Sequence, residues 1–156
     1  EEAFRGCPNL ISIKIPDTIV HLTQYALSSL PSLEYVNISP NLLSAWNGLG
    51  SVPIDCIPTT FMEMQEVPGY LLPYNYSGTI TFGPKCTDVG SHIAYAYKSD
   101  VYTTIIFLGT TPPNAVDNAF RRSAPFEIRV PAEALEAYKA APEFNEVADY
   151  IFAIED

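Results

Sequence analysis

Ala3-Phe-Arg-Gly-Cys-Pro-Asn-Leu-Ile-Ser-Ile-Lys-Ile-Pro16 is followed by a second pass of the same pattern, Ala26-Leu-Ser-Ser-Leu-Pro-Ser-Leu-Glu-Tyr-Val-Asn-Ile-Ser39. Ala3 aligns with Ala26, Pro8 with Pro31, Leu10 with Leu33, Ile13 with Val36 and Ile15 with Ile38, a period of 23 residues. Self-similarity at this spacing marks an array of stacked units. One unit cannot bury its apolar face alone, so each packs on a neighbour. Within the unit, the alternation Ile13-Lys14-Ile15 has the period of a strand. Pro16 stops that strand, because it cannot donate to a ladder. Leu10, Ile13 and Ile15 are therefore expected in the core. Ile19 and Leu22 are expected to return to it from the opposite wall, and Ala3 and Phe4 from the next turn.

The period can be followed further along the chain. Ile80 and Phe82 take the places of Ile13 and Ile15, Ile105 and Phe107 follow 25 residues later, and Ile128 and Val130 after 23 more. Val89-Gly90 aligns with Leu22-Thr23. Residues 131–141, rich in Ala, Leu and Glu, start with Pro131 and stop before Pro142, which predicts a helix with Leu135 and Tyr138 on its apolar face. Tyr150-Ile-Phe-Ala-Ile154 predicts a closing strand. Residues 41–77 follow the pattern poorly: Leu42 falls on Ile19 and Phe61 one period after Ile38, but Trp46-Asn47-Gly48 and several prolines interrupt it. They are expected to form one degenerate turn plus a Pro- and Tyr-rich excursion over 67–77.

The 156 residues carry a net charge of -10, with 8 basic residues scattered along the chain. Nucleic-acid binding is not expected, since it needs clustered Lys and Arg. Cys7, Cys56 and Cys86 have no C-x-x-C spacing and are odd in number, which argues against a disulfide framework. Cys7 stands where the second pass has Leu30 and reads as a small buried apolar residue. His21 and His92 lie in no metal-ligand spacing, and no phosphate loop or nucleophile motif occurs. No metal, cofactor or catalytic residue is expected. Asn37-Ile-Ser39 and Asn75-Tyr-Ser77 fit the glycosylation sequon, with Asn37 in a predicted strand.

Ala-Phe-x-x-Cys-x-x-Leu-x-x-Ile-x-Ile-Pro over residues 3–16 resembles the BspA-like type of leucine-rich repeat. Gly109-Thr-Thr-Pro-Pro113, Ala119-Phe120, Ile128-Arg-Val-Pro131 and Leu135-Glu-Ala-Tyr-Lys139 are similar to that family's usual ending. The resemblance covers residues 1–40 and 78–141 and implies a secreted or surface-anchored bacterial protein, similar to adhesins that bind host matrix proteins or other cells. It implies no catalytic residues. The expected fold class is α/β to mainly β: a leucine-rich repeat solenoid with a stacked parallel sheet, short helical or irregular segments on the other face and a C-terminal helix cap. Residues 1–131 form the solenoid and 132–156 its cap. The chain begins in mid-repeat, so it is expected to be a piece of a longer protein, with a leader outside it.

Two surfaces are candidates for binding a protein or glycan on a host or neighbouring cell. One is the outward face of the sheet: Ser12, Lys14, Tyr35, Asn37, Thr79, Thr81, Thr104, Ile106, Glu127 and Arg129. Its alternative is an ordinary solvated sheet. The other is an aromatic patch, Tyr70, Tyr74 and Tyr76, with Tyr95, Tyr97 and Tyr102 nearby in sequence. Tyrosine suits interfaces and irregular cores alike. The functional expectation is a non-enzymatic protein-binding module. Alternatives are a glycan-binding module built on the tyrosines and a structural spacer. The first strand, with its partner missing upstream, is expected to be an open edge available for self-association.

Overall fold

The strand pattern of residues 12–14 recurs as a parallel pair. β1 (Ser12–Lys14) lies beside β2 (Tyr35–Asn37), with Ile13 opposite Val36, so the sequence repeat is also the pairing register. The computed structural model describes residues 2–23, 25–45, 49, 52–72, 76–93, 102–121 and 125–155. Further strands are β3 (Thr60–Phe61), β4 (Glu66–Val67), β5 (Gly78–Phe82), β6 (Asp88–Val89), β7 (Thr103–Phe107), β8 (Asn114–Ala115), β9 (Phe126–Val130) and β10 (Ile151–Ala153). They form a five-stranded sheet in the order β10-β9-β7-β5-β3 and a three-stranded sheet in the order β4-β6-β8. Every pair is parallel, as connections of some twenty residues require, and paired residues lie from 21 apart (Thr60 and Thr81) to 26 apart (Asp88 and Asn114). The class is therefore α/β, with mostly parallel sheets and few helices.

Alternation buries one face of the long strands. Ile80, Ile105, Ile128 and Ile151 stack inward, as do Phe82 and Phe107 two residues after the first two. Phe61, Phe82 and Phe107 form a column of rings with centroids 5.8 and 5.4 Å apart. Tyr138 and Phe144 close that column, packed edge-on to each other at 5.2 Å. The Tyr138 hydroxyl donates to the Gly109 carbonyl at 3.0 Å, and burial pushes its pKa up.

The predicted helix over 131–141 is split. Ala134 N–H bonds to the Pro131 carbonyl in a 3-10 turn (Ala132–Ala134), and only α1 (Leu135–Ala140) is α-helical. Its apolar face is as expected, with Tyr138 buried and Leu135 half-buried. The closing strand over 150–154 is observed as β10, in register with β9.

Residues 41–77 correct the expectation of an irregular excursion. β3 pairs with β5, β4 pairs with β6, and Ser44 bridges both His21 and Gly69. Pro68, Leu71, Leu72 and Tyr76 are buried. The segment thus supplies strands and core like its neighbours. Trp46, Asn47 and Gly48 lie outside the described residues.

The first repeat also departs from expectation. Leu10 and Ile13 are half-buried rather than buried, Ala3 is exposed, and Phe4 and Ile19 keep 44% and 39% of their surface. Ile15 is buried and Leu22 half-buried. Cys7 is half-buried where its counterpart Leu30 is buried. The cause is common to all: among the described residues, nothing packs on the outer side of this repeat. The three thiols are free, and burial pushes that of Cys86 up to about 12. Cys56 donates its thiol to the Leu33 carbonyl at 2.8 Å, 23 residues back, tying adjacent repeats together.

Several turns among the described residues are made by a residue in the left-handed region. Tyr25, Tyr70, His92, Asn118 and Glu143 have φ of 60°, 56°, 54°, 64° and 64°. The chain turns there, and neighbouring turns are tied by His92 N–H donating to the Asn118 carbonyl at 3.1 Å and Asn118 N–H to the Glu143 carboxylate at 3.2 Å.

Candidate functional site

Because successive side chains in a strand point to opposite faces, burying Ile80, Ile105 and Ile128 turns their neighbours outward. Across the five-stranded sheet the register lines up Thr81, Ile106, Arg129 and Phe152 in one row, with Thr60 at its far end. Thr79, Thr104 and Glu127 make a second row. Six of the expected face residues, Thr79, Thr81, Thr104, Ile106, Glu127 and Arg129, are thus brought onto one surface. Ser12, Lys14, Tyr35 and Asn37 share the outward face of the separate β1–β2 pair. There the Asn37 amide reaches the Tyr35 hydroxyl at 3.5 Å.

The two rows meet in a fixed polar cluster at the β9–β10 end. Arg129 Nε donates to Glu127 Oε1 at 2.9 Å and its Nη2 to Oε2 at 3.2 Å, a two-pronged pair. Arg129 Nη1 donates to the Ala153 carbonyl at 3.2 Å and to the Glu155 carboxylate at 3.3 Å. The guanidinium also lies over the Phe152 ring, 5.4 Å from its centroid. Glu127 further accepts from the Tyr102 hydroxyl at 3.1 Å and from Thr104 at 3.3 Å. A planar fork held on both sides loses little freedom on meeting a partner. The hydrogen bonds from Arg129 hold the Glu127 carboxyl below the ordinary carboxylate range; burial opposes this, and Tyr102 and Thr104 add to it.

This sets a sign for pH dependence. With its pKa lowered by folding, Glu127 contributes stability above the ordinary carboxylate range and loses it as pH falls through the lowered value. Glu127→Gln is expected to cost about 1 kcal/mol at neutral pH, between the worth of an exposed pair and of a charged hydrogen bond. The deficit should vanish in strong acid. Urea unfolding of both proteins across pH checks this, and a constant deficit at all pH values would refute it.

The expected aromatic patch loses one of its three tyrosines to the core. Tyr76 is only 3% exposed and donates its hydroxyl to the Thr79 carbonyl at 2.8 Å, which removes it from any surface site. A tyrosine with room for its ring and a carbonyl within reach goes inside. Tyr70 is half-buried and stacks on His92 at 5.0 Å. Tyr74, Tyr95 and Tyr97 lie outside the described residues. Tyr102 belongs instead to the sheet-face cluster.

Phe152 and Glu155 were missed by the sequence reading, and Tyr102 was grouped there with the other tyrosines instead of with the sheet face. The alternation that placed Thr104 and Arg129 outward also places Tyr102 before Thr103 and Phe152 between Ile151 and Ala153, so the signal was present for these two. Glu155 follows the last strand and carries no period. Among the described residues, no group of three His, Cys, Asp or Glu is placed to hold a metal ion. No helix among them is long and apolar enough to cross a membrane. No protein-family model matches this chain, and no curated protein matches it.

Proposed function

We propose that the chain is a leucine-rich repeat solenoid of BspA-like type and a non-enzymatic protein-binding module of an exported or surface-anchored bacterial protein. The solenoid reading rests on the sequence period coinciding with the strand register between β1 and β2 and again through β5, β7, β9 and β10. The contact surface is the outward face of the five-stranded sheet. One observation supports this most: the outward side chains fall into two rows ending in a pre-ordered Glu127–Arg129 pair flanked by exposed Tyr102 and Phe152. Arg and aromatic residues are the usual anchors of protein interfaces, and here they are already held in place. The glycan-binding alternative loses Tyr76 to the core.

The test is binding to a panel of immobilised host matrix proteins by biolayer interferometry. Binding to at least one member is expected, weakened about tenfold or more by Ile106→Glu and by Phe152→Ser, as for central interface residues. Both side chains point outward, so thermal stability should barely change. Silence across the panel, or binding indifferent to both substitutions, overturns the proposal.

A further inference from the structure

Glu127 and Arg129 are the only charged side chains in the two outward rows of the five-stranded sheet, and they pair with each other. The rest of the rows is threonine, Ile106 and Phe152. The net charge of -10 therefore lies off these rows. Acids stand at both margins. Asp55 is exposed on the 3-10 turn (Ile54–Cys56) that leads into β3, one edge of the sheet. Burial, then the charges of Asp55 and Glu34, push the Cys56 thiol up, so Glu34 stands at the same margin. At the other edge Glu155 follows β10, meeting Arg129 at 3.3 Å with its side chain 88% exposed.

Resting on the sheet-face reading, we propose that the partner is a basic protein surface in which lysines or arginines frame an apolar patch. The patch meets Ile106 and the Phe152 ring, and the frame meets Asp55, Glu34 and Glu155. Charge complementarity selects this occupant. An uncharged centre inside a charged rim is the ordinary anatomy of a protein interface, and here the rim is acidic. An acidic partner, a sulfated or carboxylated glycan included, is repelled by a chain of net charge -10. Nor does it find a ready cation in the rows. Arg129, their one base, already donates to Glu127, the Ala153 carbonyl and Glu155. For the same reason Arg129 repels an incoming cation only weakly. Rim charges of this kind act chiefly on encounter, and the apolar centre acts on how long the complex lasts. Salt and charge reversal should therefore change association, whereas loss of the Phe152 ring should change dissociation.

The experiment is biolayer interferometry of the 156-residue chain against the immobilised matrix panel, chosen to hold both basic and acidic members. Basic members are expected to bind, and acetylating their lysines should weaken binding about tenfold or more. Raising NaCl from about 50 to about 500 mM should slow association about tenfold or more and leave dissociation nearly unchanged. At about 150 mM salt, Asp55→Lys with Glu155→Lys should slow association about tenfold. Glu66→Lys with Asp88→Lys makes the same change in charge on the three-stranded sheet, and should slow it less than about twofold, because charges more than about 8 Å away are largely screened. Acidic members binding best overturns the proposal. So does association indifferent to salt and to reversal of Asp55 and Glu155; if Phe152→Ser still weakens that binding, the sheet-face reading survives. Equal slowing by the two double variants also overturns it, since the margins would then have no special part. Binding untouched by Phe152→Ser, or silence across the panel, overturns both.

Discussion

Phe107→Ala is expected to cost about 3–5 kcal/mol, as large aromatic-to-alanine changes in packed cores do. Phe107 is 1% exposed and touches the ring column and its closure at once, with Phe82 at 5.4 Å, Phe144 at 5.8 Å and Tyr138 at 6.0 Å. Removing the ring leaves a cavity that Phe82 cannot fill without abandoning Phe61. It also takes away what Tyr138 and Phe144 pack against, so α1 and the segment after it should loosen together. For a domain of this size the fall in melting temperature should be about 10 °C. Phe152→Ala, which removes an exposed ring of the same size, should cost well under half as much. A Phe107→Ala protein within about 1 kcal/mol of the parent in urea unfolding would mean that the column does not hold the cap.

Gly83→Ala is expected to cost about 3 kcal/mol, the upper end of the range for overpacking. The reason is backbone meeting backbone. A Cβ at Gly83 would collide with the Met62 carbonyl oxygen and lie 2.7 Å from its Cα. Gly83 N–H donates to the Phe61 carbonyl at 3.1 Å, so the β3–β5 ladder cannot part to make room without losing that bond. A flexible side chain could swing away, whereas the Met62 backbone, directly after the Phe61 carbonyl that holds Gly83, cannot move without disturbing that bond. Hydrogen exchange should show faster exchange at the Thr81 and Gly83 amides while β9 remains protected. Uniform loss across all strands, or none, would contradict this account.

What the sequence made legible follows from how long a pattern runs. β5, β7 and β9 each run five residues, enough for alternation to show, and their spacing carried the register from one to the next. β3 and β4 run two residues each, and two residues have no period. Their pairing is set by the longer β5 and by β6 stacked beside them. The described part of residues 41–77 therefore looked irregular in sequence while packing like the rest. The same reasoning separates the two candidate surfaces. A strand's outward face is fixed by the identity of its inward one, so Glu127 and Arg129 could be placed together from Ile128 alone. The fate of Tyr76 depends on a pocket and on the Thr79 carbonyl, and no local pattern encodes either. The splitting of the helix over 131–141 is a matter of where Pro131 sends its carbonyl, a choice that composition leaves open.

The row of left-handed corners has a consequence for how this molecule can change over generations. Tyr25, Tyr70, His92, Asn118 and Glu143 hold a conformation that costs a residue with a side chain about 1–2 kcal/mol and costs glycine almost nothing. The Glu143 carboxylate holds the Asn118 N–H, but Tyr25 and Asn118 carry exposed side chains. Such positions are a reserve of heat tolerance. A lineage moving to a hotter niche could draw on them one at a time, gaining resistance to unfolding while the outward rows of the sheet stay as they are. Selection on the sheet face and selection on how long the fold lasts can act here on different residues.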